Sequence, residues 1–444
     1  MGTRSTLGGA VLALLPLQIV VKAVEAAFPL LLASWYGRSD LTDVYYFAWA
    51  VFALAGSLVF SAFQDSAVVP VLAELRRSRP DLVPIVRGSL LAHTVTFGSG
   101  LAVAFGALAA GWFAARYTGP SRSLALASIA PFGVYLVALS VKTFLASMLN
   151  VEHRYLAAPL AGALGAAVTI AVVAAARASL SIVAIPLGSA AGEMTAVATL
   201  VWAAVRAKIA IAPTFARPEP VRRIARLVSS EVGGGAVTRV NPVVDQLMAA
   251  FTGIAGGGTL LKLSGDIASV PTSLLQAVLL PVLLTHMSEH VASRDMNRFR
   301  ATLRRALGIV LGVMVLSAAA LWLVRAPLLA ALLDHGAMDP RGVARMTTLL
   351  PYHLLGIAPF AALLVLARAH VAIQNSRIMV SMGVLNALLN FGLNAALVRA
   401  VGLEGLALAT SITYAVVAAV FAMRLRVRLA AIDAGTLSLS SSVP

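Results

Sequence analysis

The sequence predicts an all-α integral membrane protein of about twelve transmembrane helices, arranged as two six-helix lobes around a central cavity. Three observations carry that expectation. The chain of 444 residues is 60% hydrophobic and 12% charged, with a mean hydropathy of +0.91; soluble domains are roughly 45–50% apolar and about 25% charged. Apolar runs of about 20 residues, the length that crosses a hydrocarbon core of about 30 Å, recur along its whole length. One long basic connection divides those runs into two sets.

In the first half the runs predict spans at 8–34, 44–72, 88–115, 124–149, 156–176 and 180–205. The first continues through Leu32 with no small-residue cleavage site after a short core, so it reads as a span and not as a secretion signal. The connection RAKIAIAPTFARPEPVRRIARL, 206–227, carries three prolines and six basic residues and reads as a cytoplasmic linker. The second half predicts spans at 228–254, 258–286, 306–324, 346–372, 378–398 and 403–423. The expected organisation is therefore an N-terminal lobe 1–205, the linker 206–227, a C-terminal lobe 228–423 and a cytoplasmic tail 424–444. SAVVPVLAEL (66–75) closes the second span and QAVLLPVLLTH (276–286) closes the eighth, an echo between the halves. Paired halves are a common transporter architecture, with the substrate site near the bilayer midplane.

The net charge of +16 resembles a nucleic-acid signal until the basic residues are placed on the topology. With the N-terminus inside, most of them fall in cytoplasmic loops, notably 76–87, 206–226, 294–305 and 424–428. That asymmetry is the positive-inside rule, so both termini are expected in the cytoplasm and no nucleic-acid partner is expected. The absence of cysteine excludes disulfides, thiolate metal sites and cysteine nucleophiles. There is no P-loop, H-E-x-x-H, G-x-S-x-G or dinucleotide fingerprint, and histidines and carboxylates lack metal-ligand spacing. No catalytic residue, metal or cofactor is expected, and coupling to the membrane potential, H+ or Na+ is left open. GIAGGG (253–258) reads as an external helical turn.

Charges inside the spans need a reason, because a central charge costs about 2.5–3.5 kcal/mol to insert. Gln18, Lys22, Glu25 and Pro29 fall on one face of the first helix. Lys262, Asp266, Ser269, Ser273 and Gln276 do the same on the eighth. The seventh carries Thr238, Asn241 and Asp245 on one face, with Arg239 and Gln246 nearby and Pro242 interrupting it. Three polar-striped helices suggest a shared hydrated cavity; the alternative is that the pairs Lys22/Glu25 and Lys262/Asp266 only fix helix register. Asp65, Lys142 and Glu193 are further candidates, and His93 reads as a satisfied or boundary histidine. Asn386, Asn390 and Asn394 recur every four residues, a row most simply explained by interhelical hydrogen bonds.

Three segments carry a family resemblance: YGRSDLTDVYYFAWAVFALAGSLVFSAFQDSAVVPVL (36–72), NPVVDQLMAAFTGIAGGGTLLKLSGDIASVPTSLLQAVLLPVL (241–283) and LNALLNFGLNAALVRAVGLEGLALATSITY (385–414). In order and over most of the chain, they resemble the MurJ/MviN lipid II flippases, and more broadly the MOP superfamily of polysaccharide flippases and MATE drug exporters. The spacing from Asp43 to Pro70 fits the family's second helix. The resemblance implies a bacterial inner-membrane protein whose central cavity, lined by spans one, two, seven and eight, opens alternately to either side. Such a protein moves a polyprenyl-diphosphate-linked glycan for cell-wall or polysaccharide synthesis, its lipid tail staying among membrane lipids. Cavity cations would hold the diphosphate, which singles out Lys22, Arg239 and Lys262, with Glu25, Asp43, Asn241, Asp245 and Asp266 beside them. The chain also departs from the pattern. Gly56 stands at one arginine position, Ser264, Gly265 and Asp266 replace an A-D-R motif, and the two extra C-terminal helices that the lipid II flippases tend to have do not follow Met423. The acids favour a second reading, ion-coupled export of small organic molecules as in MATE-like proteins. Oligomeric state is not legible.

Overall fold

Long apolar runs leave the backbone no water to bond to in a bilayer, so each must satisfy its own amides as a helix. The computed structural model describes residues 27–62, 68–152, 154–209, 211, 213–228, 240–373, 375 and 377–434; every regular element among them is helical. In chain order these are α1 (Ala27–Tyr36), α2 (Asp40–Ala62), α3 (Val68–Ser78), α4 (Val83–Arg116), α5 (Gly119–Ala127), α6 (Ile129–Val151), α7 (Ala157–Leu180) and α8 (Ala184–Arg206). Then come α9 (219–228), α10 (Asn241–Ala249), α11 (Gly257–Ala292), α12 (Met296–Leu333), α13 (Pro340–Ala372), α14 (Arg377–Val401) and α15 (Leu403–Asp433). Each expected span has a helix within the described part of its position; 8–26, 63–67 and 229–239 lie outside the described residues. Among the described residues, seven stretches are long and apolar enough to cross a membrane. On one of them, α12, Leu311, Val313, Val315, Leu316 and Leu323 are exposed, as lipid-facing residues are.

Several boundaries differ from expectation. The described part of the seventh span, α10, ends at Ala249 and carries Pro242 in its first turn, where a missing N–H is harmless; 229–239 lie outside the described residues. The last helix runs on to Asp433, so residues expected as the start of a tail continue the span. Part of the linker is itself helical, as α9.

The chain forms two compact units, 1–32 with 39–233 and 33–38 with 234–444. In the first, Phe52 of α2 stacks on Phe132 of α6 at 5.2 Å between ring centroids, and both rings are fully buried. Gly188 and Gly192 of α8 form a G-x-x-x-G pair that lets α7 approach closely. A Cβ at Gly192 would lie 2.5 Å from the Gly165 carbonyl and 2.0 Å from Thr169 Oγ1. At one end of this unit Arg76 and Arg87 converge on Glu152. Arg223 of α9 donates to both carboxylate oxygens of Glu74, at 3.1 and 3.0 Å.

The second unit packs α11, α12, α13 and α15 around Met287, Phe299, Val310, Val365 and Phe421. Gly356 of α13 lies against Ser411 of α15, whose hydroxyl donates to the Tyr352 carbonyl at 2.6 Å. The short piece 33–38 also belongs here, although the chain on both sides of it belongs to the first unit.

Candidate functional site

Of the residues singled out from sequence, Lys22, Glu25 and Arg239 lie outside the described residues, as does Asp65. Asp43 lies in the first unit, in the first turn of α2 with Asp40. Acidic side chains there complement the positive end of the helix dipole. Asn241, Asp245, Lys262 and Asp266 all lie in the second unit.

Lys262 and Asp266 are four apart on α11, so their side chains meet along one face. Lys262 Nζ is 2.5 Å from both Asp266 carboxylate oxygens. The pair is not sealed in: the side chains are 33% and 36% exposed. Its neighbours on the helix turn the other way. Ser264 is fully buried, and Gly265 faces the ring of His353 on α13. Of the Ser264, Gly265, Asp266 run, therefore, only Asp266 shares the open side with Lys262. The arrangement is a cation held by a carboxylate that a more highly charged anion could displace.

A second polar cluster joins α10, α14 and α15. Asn394 Nδ2 donates to Asp245 Oδ1 at 2.6 Å and to Asn390 Oδ1 at 3.1 Å. Asn390 Nδ2 donates in turn to Thr410 Oγ1 at 3.3 Å. Asn390 and Asn394 are fully buried, and Asn394 Oδ1 has no hydrogen-bond partner among the described residues. Carboxylate, amide and hydroxyl oxygens converging in one buried place are the donor set of a hard cation, and a carboxylate there is equally a place for a proton. Among the described residues, no three His, Cys, Asp or Glu side chains form a metal cluster. Gln246 extends the network, its Nε2 donating to the Gly258 carbonyl at 3.1 Å and so tying α10 to α11. The asparagine row does make interhelical bonds, but one of them reaches an acid that sequence reading had placed in a different group. The four-residue spacing was legible; its partner 149 residues away was not.

Two further charge pairs join neighbouring helices. Lys142 of α6 and Glu193 of α8 pair at 2.6 Å. Arg345 of α13 pairs with Glu404 of α15 at 2.8 Å. His93 is satisfied, its Nδ1 hydrogen-bonded to the Ser89 carbonyl at 2.8 Å and its Nε2 accepting from Arg217 Nε at 3.0 Å. Sequence reading missed a further pair, Arg38 with Asp339, at 2.7 and 3.0 Å. Nothing in the local pattern of either residue points to the other.

A multi-pass helical bundle with charged and amide side chains set within its spans is the build of a membrane transporter. A sequence model of the lipid II flippase MurJ family matches residues 32–442. A probable lipid II flippase MurJ of Rhizobium meliloti (strain 1021) is 26% identical over 234 residues, 51% of this chain; the match spans only 43% of that relative. A solved lipid II flippase MurJ in an inward closed conformation superposes with a TM-score of 0.76, at 18% identity, over 93% of this chain and 87% of that one. An inward-facing multidrug resistance MATE family transporter of the MOP superfamily gives 0.80 at 12% identity, over 94% and 96%. These two likenesses concern the fold. The chain belongs to the lipid II flippase MurJ family.

Proposed function

We propose that this protein flips a polyprenyl-diphosphate-linked glycan, lipid II or a related lipid-linked oligosaccharide, across the bacterial cytoplasmic membrane by alternating access. The observation that carries the reading is the family match over residues 32–442. The positive-inside distribution of Arg and Lys supports an orientation with both termini in the cytoplasm.

In this reading Lys262 is one of the groups that receive the diphosphate. Its pairing with Asp266 keeps it neutralised while no substrate is present. A diphosphate carries more charge than one carboxylate and accepts several hydrogen bonds, so it displaces Asp266 from Nζ. When the substrate must leave, Asp266 competes for the ammonium again and lowers the barrier to release. Because the pair is a third exposed, exchanging its partner demands little desolvation. Lys22 and Arg239 are the further cations of the same proposal, with Glu25, Asp43 and Asn241 as polar lining.

The Asp245, Asn390, Asn394 and Thr410 cluster is proposed as the place where a coupling H+ or Na+ binds. Asp245 is held by neutral amides and, among the described residues, pairs with no Lys or Arg, so its carboxylate has charge to spare for a cation.

Reconstitution into liposomes with a fluorescent polyprenyl-diphosphate sugar tests the function. Wild type is expected to carry the probe between leaflets, and Lys22→Ala with Lys262→Ala to slow it strongly. Folded wild type that moves no probe but drives proton-coupled dye efflux overturns the reading in favour of a small-molecule exporter.

A further inference from the structure

The segment 33–38 is a strap. Its flanking residues on both sides belong to the first unit, yet it is fastened to the second. Arg38 does much of the fastening. Its Nε and Nη2 donate to the two carboxylate oxygens of Asp339 at 2.7 and 3.0 Å, and Nη1 donates to the Ala255 carbonyl at 3.1 Å. The Ala337 amide donates to the Ser34 carbonyl at 2.7 Å.

The seat is shaped by glycines. Gly37, Gly256 and Gly336 have φ of +63°, +73° and +73°, in the left-handed region. A Cβ on them would lie 2.2 Å from the Ala337 carbonyl oxygen, 2.5 Å from Arg38 Cβ and 2.2 Å from the Ser34 carbonyl oxygen. Gly342 opens space for the Arg38 stem, since a Cβ there would come within 2.9 Å of Arg38 Cδ. Two segments distant in sequence, at 255–256 and 336–342, thus form one socket for Arg38 and the strap.

We propose that this socket is a releasable latch: it holds the strap on the second unit and opens and recloses in each transport cycle. The proposal rests on the transport reading above. Two features fit release better than permanent anchoring. The polar contacts named above are an ion pair and hydrogen bonds, and water reaches the ion pair, with Arg38 and Asp339 side chains 21% and 42% exposed. Such contacts exchange readily with water. The glycine seat, by contrast, returns the strap to one defined position on closing.

The chain has no cysteine, so Arg38→Cys with Asp339→Cys can be bridged by a short bis-methanethiosulfonate reagent without background. In proteoliposomes the bridge is expected to slow leaflet exchange of the fluorescent probe at least tenfold, and reductant to restore it, while each single cysteine variant is unaffected by the reagent. Unchanged exchange in the bridged protein overturns the latch. A second measurement does not depend on transport. Spin labels at the exposed positions Asp40 and Arg341 leave both latch residues in place; two distance populations are expected, with Arg38→Ala enriching the longer. A single distance that Arg38→Ala leaves unchanged overturns the latch whether or not the probe moves. Absent exchange in unbridged wild type counts against the flippase reading alone, and the label distances then decide the latch.

Discussion

Replacing Lys262 and replacing Asp266 are expected to move substrate affinity in opposite directions. The pair is on one helix and a third exposed, so it contributes about 0.3–1 kcal/mol to stability, and either single substitution leaves a folded protein. A charge-assisted hydrogen bond from Lys262 to a phosphate is worth about 1.5–3 kcal/mol. Taking Lys262 from Asp266 offsets about 0.3–1 kcal/mol of that, leaving roughly 0.5–2.7 kcal/mol. At about 1.4 kcal/mol per tenfold, Lys262→Ala raises the half-saturating substrate concentration about 2- to 85-fold. Asp266→Asn removes the competitor and lowers it about two- to fivefold, while slowing release, so the maximal rate falls. The assay is leaflet exchange in proteoliposomes titrated with the fluorescent polyprenyl-diphosphate sugar, with thermal unfolding in parallel. Unchanged half-saturation in a folded Lys262→Ala protein, or a rise in Asp266→Asn, refutes the exchange argument.

Gly192→Ala places a methyl 2.0 Å from Thr169 Oγ1 and 2.5 Å from the Gly165 carbonyl; thermal unfolding is expected to show a loss of about 1–3 kcal/mol, while Gly162→Ala, which meets nothing within 4 Å, is neutral or slightly stabilising. Lys142→Met strands Glu193, whose side chain is only 17% exposed, and is expected to destabilise by about 3–5 kcal/mol, whereas Lys142→Met with Glu193→Leu is expected to recover most of that; equal losses in the two would contradict a tightly coupled pair. The hydrogen bond from Arg38 holds the Asp339 carboxyl below its ordinary value of 3.8. A depressed carboxylate stabilises the folded state above its unfolded pKa and loses that contribution as pH falls through the folded value. The stability gap between wild type and Asp339→Asn is therefore expected to be small and flat from about pH 8 to 5 and to close below about pH 4; a gap that opens on acidification would contradict the sign.

How far the fold could be read follows from which forces act locally. A bilayer span is decided by some 20 consecutive residues, so apolar runs locate helices without any knowledge of their partners. Helix ends are decided by other things. The last helix continues past Met423 through RLRVRLAAID because Leu425 and Leu429 are buried one turn apart, and the arginines between them do not interrupt that face. Hydropathy averages those arginines into a tail. Hydropathy likewise carries no information on where a helix begins: the described helix at 241–249 has Pro242 in its first turn, where proline is favoured.

The site was legible only where its partners are neighbours in sequence. Spacing alone joined Lys262 to Asp266, since four residues on a helix guarantee proximity. Asp245 with Asn394 and Arg38 with Asp339 span 149 and 301 residues, and a short polar run carries no record of such a partner. The asparagine row shows how this misdirects a reading. Asparagines at 390 and 394 are equally good hydrogen-bonding glue or ligands to an acid, and only the arrival of α10 beside α14 chooses between them. A polar residue in a span therefore has a legible cost but an illegible purpose: the cost is set by the bilayer, and the purpose by whichever helix the fold brings alongside. Arg38 is the sharper instance. Read in sequence it is an ordinary loop arginine, and what makes it unlike the others is a set of glycines, Gly37 beside it and Gly256, Gly336 and Gly342 far along the chain, each with a neighbouring atom where a Cβ would have stood.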